Sequence, residues 1–171
     1  MSQSHAKFKG FQLERLPGAS DCNFADKEAH ESQAVLIHRA IIIADSSSDK
    51  LVLTRIRGQK VRAHHQLASW SPRSQYTFAG SGEYLAFVGG LKLGQSICSK
   101  KLQVIEPLAL ATGEQTLTNL KLLKARRRPA VAFSPAHYNL MVVYGGYSSD
   151  GSFEPTAEVF DLAEGQLLHF V

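Results

Sequence analysis

The chain has 171 residues, 44% hydrophobic and 20% charged, a length and composition that support one domain with a buried core. Nineteen Lys and Arg against 15 Asp and Glu leave a net charge of +4, too mild a basicity to argue for a nucleic-acid partner by itself. Cys22 and Cys98 form neither a disulfide framework nor a Cys-x-x-Cys pair, and no apolar run approaches a signal-peptide core or a membrane span, so a soluble, cytoplasmic chain is expected.

In chain order the apolar segments are short, and most are of strand length. "FKGFQLERLPG" (8–18) reads as a lone strand. "AVLIHRAIIIA" (34–44) and "KLVLTRI" (50–56) follow, separated by a hairpin-like turn of Asp45, Ser46–Ser48 and Asp49. Next come "SQYTF" (74–78), then "YLAFV" (84–88) running into Gly89-Gly90, then "KLQVIEP" (101–107). "LTNLKLLKARR" (117–127) carries leucines at 117, 120, 122 and 123, a spacing that leaves a short helix open. "PAVAF" (129–133), "LMVVY" (140–144) running into Gly145-Gly146, "AEVFDL" (157–162) and "QLLHFV" (166–171) complete the chain. β-Branched and aromatic residues bounded by Gly, Ser, Pro, Asp and Asn predict an all-β fold.

An internal repeat organises these strands. Laying 71–90 over 126–146, with one residue of slack in the turn, aligns an Arg, a Phe, a turn, an apolar strand and Gly-Gly. Gly89 and Gly145 are 56 positions apart, and Phe78 and Phe133 are 55 apart. Beyond each pair, "LQVIEPLALATGEQTL" (102–117) and "AEVFDLAEGQLL" (157–168) both read strand, acidic residue, Gly turn, strand. About four short strands per unit at this period is the pattern of a β-propeller blade. Residues 31–67 read as a third copy in which Ala44-Asp45 stands for Gly-Gly.

These features resemble the kelch-repeat family of β-propellers. Arg73 and Arg128 match its basic position before the first strand, and Gly89-Gly90 and Gly145-Gly146 match its diglycine. Phe160-Asp161 matches its aromatic–acidic pair, which Ile105-Glu106 replaces in the earlier copy. Leu167 or Leu168, and Leu117, stand near the family's Trp position. Trp70, the one tryptophan, precedes Arg73 where it would close a preceding blade. The resemblance implies four-stranded antiparallel blades at 71–120 and 126–171, a third at 31–67, and 8–18 as the outer strand of a blade before it. Together they make an incomplete propeller whose remainder comes from a longer chain or from self-association. A glycine pair also marks hairpin turns in an ordinary β-sandwich; two pairs in register with Arg, Phe and an acidic strand favour blades.

Residues with chemical potential are few. Lys124, Arg126, Arg127 and Arg128 form the densest charge, suited to an acidic partner or phosphate groups if exposed and to scaffold if not. His64 and His65 are adjacent on a strand and point to opposite faces, so no metal site is expected there. His38 and His169 lie in apolar strands, where partial burial is expected. Asp150 and Glu154 sit in a plain turn, and 80–84 lacks the Gly-Lys-Ser/Thr of a phosphate loop. No catalytic set and no cofactor motif is present. The expected function, implied by the resemblance, is a non-catalytic protein-interaction module serving as adaptor or scaffold. The alternatives are a propeller enzyme with its site at the channel mouth, and a basic surface at 124–128 that binds RNA or phosphoinositide.

Overall fold

The computed structural model describes residues 31–37, 40–46, 50–57, 60–67, 70–106 and 118–171, with side chains described except at 31 and 60–65. Segment 8–18, Cys22, His38 and Leu117 lie outside the described residues, as do the side chains of His64 and His65. Every regular element among the described residues is a β-strand, and every pairing is antiparallel.

Sheet I is a meander of β1 (Glu31–Ile37), β2 (Ala40–Ser46), β3 (Leu51–Arg57) and β4 (Lys60–Leu67). A short strand β5 (Arg73–Ser74) leads into sheet II, which contains β6 (Thr77–Gly80) and β7 (Leu85–Val88). Strand β8 (Leu91–Lys92) returns to pair with β5, and sheet II continues with β9 (Lys101–Ile105) and β10 (Thr118–Lys121). Sheet III holds β11 (Ala130–Phe133), β12 (Leu140–Tyr144), β13 (Ala157–Asp161) and β14 (Gln166–Phe170) in order. The described part of this segment, 118–127, therefore holds a strand and its exit, not a helix: Leu120 packs toward the core from β10, Leu122 is buried just beyond it, and Leu123 is exposed.

The register fixes which residues correspond between sheets II and III. Thr77 pairs with Val88, and Ala130 with Tyr144, so each first strand begins opposite the residue just before its glycine pair. Leu85 pairs with Ile105 where Met141 pairs with Phe160. The offset is 53 at the first strand, 56 at the second and 55 at the third. The slack in the first turn is thus three residues, not one. Val131 stands for Phe78, and Phe133 corresponds to Gly80.

The sheets stack face to face in the order I, II, III, with first strands side by side: β1 lies against β6, and β6 against β11. Sheet II is the middle layer, which explains the unbroken apolar run "LAFV", since a strand buried on both faces loses the polar alternation. Leu85 and Phe87 join the core with Ile42, Leu51 and Leu53 of sheet I, while Ala86 and Val88 join Met141, Val143 and Phe160 of sheet III. Burying each large apolar side chain contributes about 1.5–3 kcal/mol. Phe87 stacks on Phe78 at 4.8 Å and meets Trp70 edge-on at 5.5 Å, so Trp70 seals the junction of sheets I and II.

Polar contacts pin the first strands to one another. The Gln33 amide donates to Tyr76 O at 2.8 Å and accepts from Phe78 N at 2.8 Å, as a strand backbone would. Thr77 Oγ1 donates to Pro129 O at 2.6 Å. The glycine pairs have a local cause. Gly90 (φ +105°) and Gly146 (φ +90°) back onto the segment that leads into their own sheet, and a Cβ there would lie 2.7 Å from Ser74 O and 2.6 Å from Arg127 O. Ala44 and Asp45 do not replace such a pair. Both stay inside β2, bonded to β1 and β3, and the strand runs on to Ser46 without the bend.

Candidate interaction site

The basic run after β10 divides by burial. Arg126 has no exposed surface and is a core residue rather than a contact residue. Its guanidinium donates to Gly145 O at 3.0 Å, to Thr156 O and Thr156 Oγ1 at 2.9 Å each, and to Glu158 Oε1 at 2.7 Å. Glu158 is equally buried, and its carboxylate also accepts from Leu123 N at 2.7 Å and Lys124 N at 3.2 Å. This ion pair staples the segment leaving sheet II to the third strand of sheet III.

Arg73 holds the corresponding place one sheet earlier. Its guanidinium donates to Gln103 Oε1 at 2.6 Å and Phe87 O at 3.0 Å, and its Cζ lies 4.5 Å over the Trp70 ring. Gln103 occupies in β9 the place that Glu158 occupies in β13, each paired opposite the residue two before a glycine pair. Leu91 pairs with Ser74 as Tyr147 bridges Arg127, so the counterpart of Arg73 is Arg126, and that of Arg128 is Gln75. Gln75 and Arg128 share a positive φ, 54° and 48°. Burial pulls the Arg73 guanidinium down to about 10, partly offset by Tyr76, which leaves it charged at neutral pH. Arg73 Nε and Trp70 Nε1 are buried with no hydrogen-bond partner.

Phe160 is buried between sheets II and III. The Asp161 carboxylate accepts from Asn139 Nδ2 at 2.8 Å, Ala163 N at 3.0 Å and Glu164 N at 3.2 Å, which closes the β13–β14 turn and holds the carboxyl below its usual range. Both are scaffold. His169 is exposed rather than partly buried, because β14 is the edge strand of sheet III, and its neighbours Leu168 and Phe170 on the other face are exposed as well.

The accessible charge gathers where the glycine pairs lie. Lys124 and Arg128 are exposed and Arg127 is half-buried. Arg128 N donates to Gln75 O at 2.8 Å, Arg127 Nη1 to Gln75 Oε1 at 3.3 Å, and Arg127 exchanges backbone hydrogen bonds with Tyr147 at 2.9 Å. Gln75, Arg127, Arg128, Tyr147 and Gly151 line a cavity of about 370 Å³. The nearby Asp150 carboxylate is occupied by Ser148 and Ser152, whose hydrogen bonds pull it down to about 2. Chain-order reading misses Lys101 and Lys121, which face each other across β9 and β10 at the same end. Lys101, Lys100 and Lys92 line a second cleft, of about 720 Å³, with Trp70, Pro72 and Leu93. The opposite end is acidic: partial burial, together with Glu106, Glu83 and Asp161, pushes the Tyr84 hydroxyl up.

Among the described residues, no three His, Cys, Asp or Glu side chains are grouped to hold a metal ion. Cys98 is buried, with its thiol donating to Tyr147 O at 3.3 Å. No described helix is long and apolar enough to cross a membrane. Comparison with models of known protein families finds no match, and comparison with curated proteins finds none either.

Proposed function

We propose that the chain is a non-catalytic protein-interaction module of kelch-like blades, a cytoplasmic adaptor or scaffold that docks an acidic segment of a partner protein. The observation that carries this reading is the cavity of about 370 Å³ where sheets II and III meet, lined by Arg127, Arg128, Gln75 and Tyr147. An Arg guanidinium fits a carboxylate with two parallel hydrogen bonds, and an aromatic ring beside it supplies apolar contact. Lys124 and the lysines of β9 and β10 add a positive field that steers an acidic partner and weakens with salt.

The same charge supports a second reading, an RNA or phosphoinositide surface. Fluorescence anisotropy with a labelled Glu/Asp-rich peptide containing one aromatic residue separates the two. A charge-scrambled neutral peptide, an RNA oligonucleotide and phosphoinositide vesicles serve as competitors. Arg127→Glu/Arg128→Glu is expected to weaken peptide binding at least about tenfold. RNA or vesicles binding more tightly than the peptide, with equal sensitivity to that variant, would replace protein docking by the second reading.

A further inference from the structure

Sheet II shows how one sheet receives the next. Its face toward sheet III is formed by Ala86, Val88, Leu102 and Val104, paired as Ala86–Val104 and Val88–Leu102. The same places in sheet III are taken by Val142, Tyr144, Ala157 and Val159, paired as Val142–Val159 and Tyr144–Ala157. All four are apolar, and Val142 and Tyr144 are 37% and 48% exposed. Ala130 and Ala132 of β11, opposite Tyr144 and Val142, continue this face with small exposed residues. At the other end of the stack, the face of sheet I turned away from sheet II is apolar across Ala34, Leu36, Ile41, Ile43 and Ile56 and polar at its far end, where Ser32 donates to Asp45. Leu36 is 74% exposed and Ile41 44%. The solvent face of an antiparallel sheet is ordinarily polar, and contiguous apolar patches mark contact surfaces.

We infer that these two faces are one interface seen from its two sides: sheet III of one copy receives sheet I of a second copy, as sheet II receives sheet I and sheet III receives sheet II within the chain. The occupant is named by the repeat. What packs on Ala86, Val88, Leu102 and Val104 is the apolar face of a four-stranded sheet, and among the described residues the other free face of that kind is on sheet I. The contact is heterologous, so it closes only if repeated rotation returns to the start. Two copies of three sheets give six, within the four to eight blades over which propellers close. The proposal concerns sheets I and III and does not depend on the basic cavity.

Size exclusion with light scattering on the 171-residue chain tests it, using Val142→Lys for the sheet III face and Ile41→Lys for the sheet I face. Both positions are exposed, so each variant is expected to keep the wild-type far-UV circular dichroism and a cooperative unfolding transition, with a melting temperature lowered only by the lost association. Should either lose that transition, Tyr144→Asp and Leu36→Glu are the replacements. The expected result is a two-chain mass for wild type and at least about tenfold weaker association for each variant, because a lysine buried against apolar surface is left unpaired. An equimolar mixture of the two variants is expected to recover a two-chain species, since one intact sheet III face then meets one intact sheet I face. A single-chain wild type at every concentration, a dimer insensitive to both substitutions, a mixture that fails to reassociate, or an open ladder of masses would each overturn the inference.

Discussion

Replacing Arg126 with methionine removes the charge but keeps the unbranched apolar stem. The loss has three parts: four short guanidinium hydrogen bonds, the tie between the segment after β10 and β13, and compensation for a carboxylate with no exposed surface. Breaking a buried pair by deleting one partner costs about 3–5 kcal/mol, since the remaining charge is stranded. Against a typical domain stability of about 5–15 kcal/mol, this is a large fraction. Equilibrium urea unfolding, followed by fluorescence of the single Trp70 and by circular dichroism, measures it. The companion variant is Glu158→Gln, which copies the arrangement of Arg73 and Gln103, where a neutral amide serves the same role one sheet earlier. Arg126→Met/Glu158→Gln is expected to be less destabilised than Arg126→Met alone, because the stranded charge is gone, and the cycle should give a coupling of about 1–3 kcal/mol. A loss below about 1 kcal/mol for Arg126→Met, or a cycle with no coupling, would refute the role of the pair as the staple between sheets.

Gly90→Ala and Gly146→Ala are expected to destabilise by well over the ~1 kcal/mol of left-handed backbone strain, because each Cβ also meets backbone oxygen. Gly94→Ala shares a positive φ but has open space around it, and should show the strain alone in the same melts. Phe87→Ala, which empties the aromatic junction of sheets I and II, should cost about 3–5 kcal/mol. Asp150 is expected to titrate near 2 by carboxyl NMR, and in Ser148→Ala/Ser152→Ala to return toward its ordinary range. Its folded-state value is depressed, so its contribution to stability is present above the ordinary carboxylate value near 4 and is lost as pH falls toward 2. A midpoint near 4 in the unaltered chain would remove that loop network.

The strands and the repeat are legible because burial on one or two faces writes itself into residue order. "LAFVGG" and "LMVVYGG" announce a buried strand followed by a backbone that tolerates no Cβ. The register of the first strand was not legible, because the turn after β11 is three residues longer than its counterpart and nothing marks the surplus. For the same reason Arg128 reads as the partner of Arg73 when Arg126 holds that place. A signal did exist: Gln103 and Glu158 are polar residues flanked on both sides by apolar ones in the third strands, at matching positions, and a buried polar group there needs a partner. Burial within "KARRR" has no local pattern, since it depends on what β13 brings to the segment. The Lys101–Lys121 pairing needs the strand order, which joins residues 20 positions apart.

The three sheets stack in sequence, with sheet II between the other two. Methyl–methyl NOE spectroscopy on a chain labelled at Ile, Leu, Val, Ala and Met methyls tests it most directly. Cross-peaks are expected joining Ile42 and Leu53 to Leu85, and joining Val88 and Val104 to Met141 and Val143, with none between Ile42 or Leu53 and Val143. Direct cross-peaks between the core methyls of sheets I and III would contradict it and make the fold a sandwich of those two sheets.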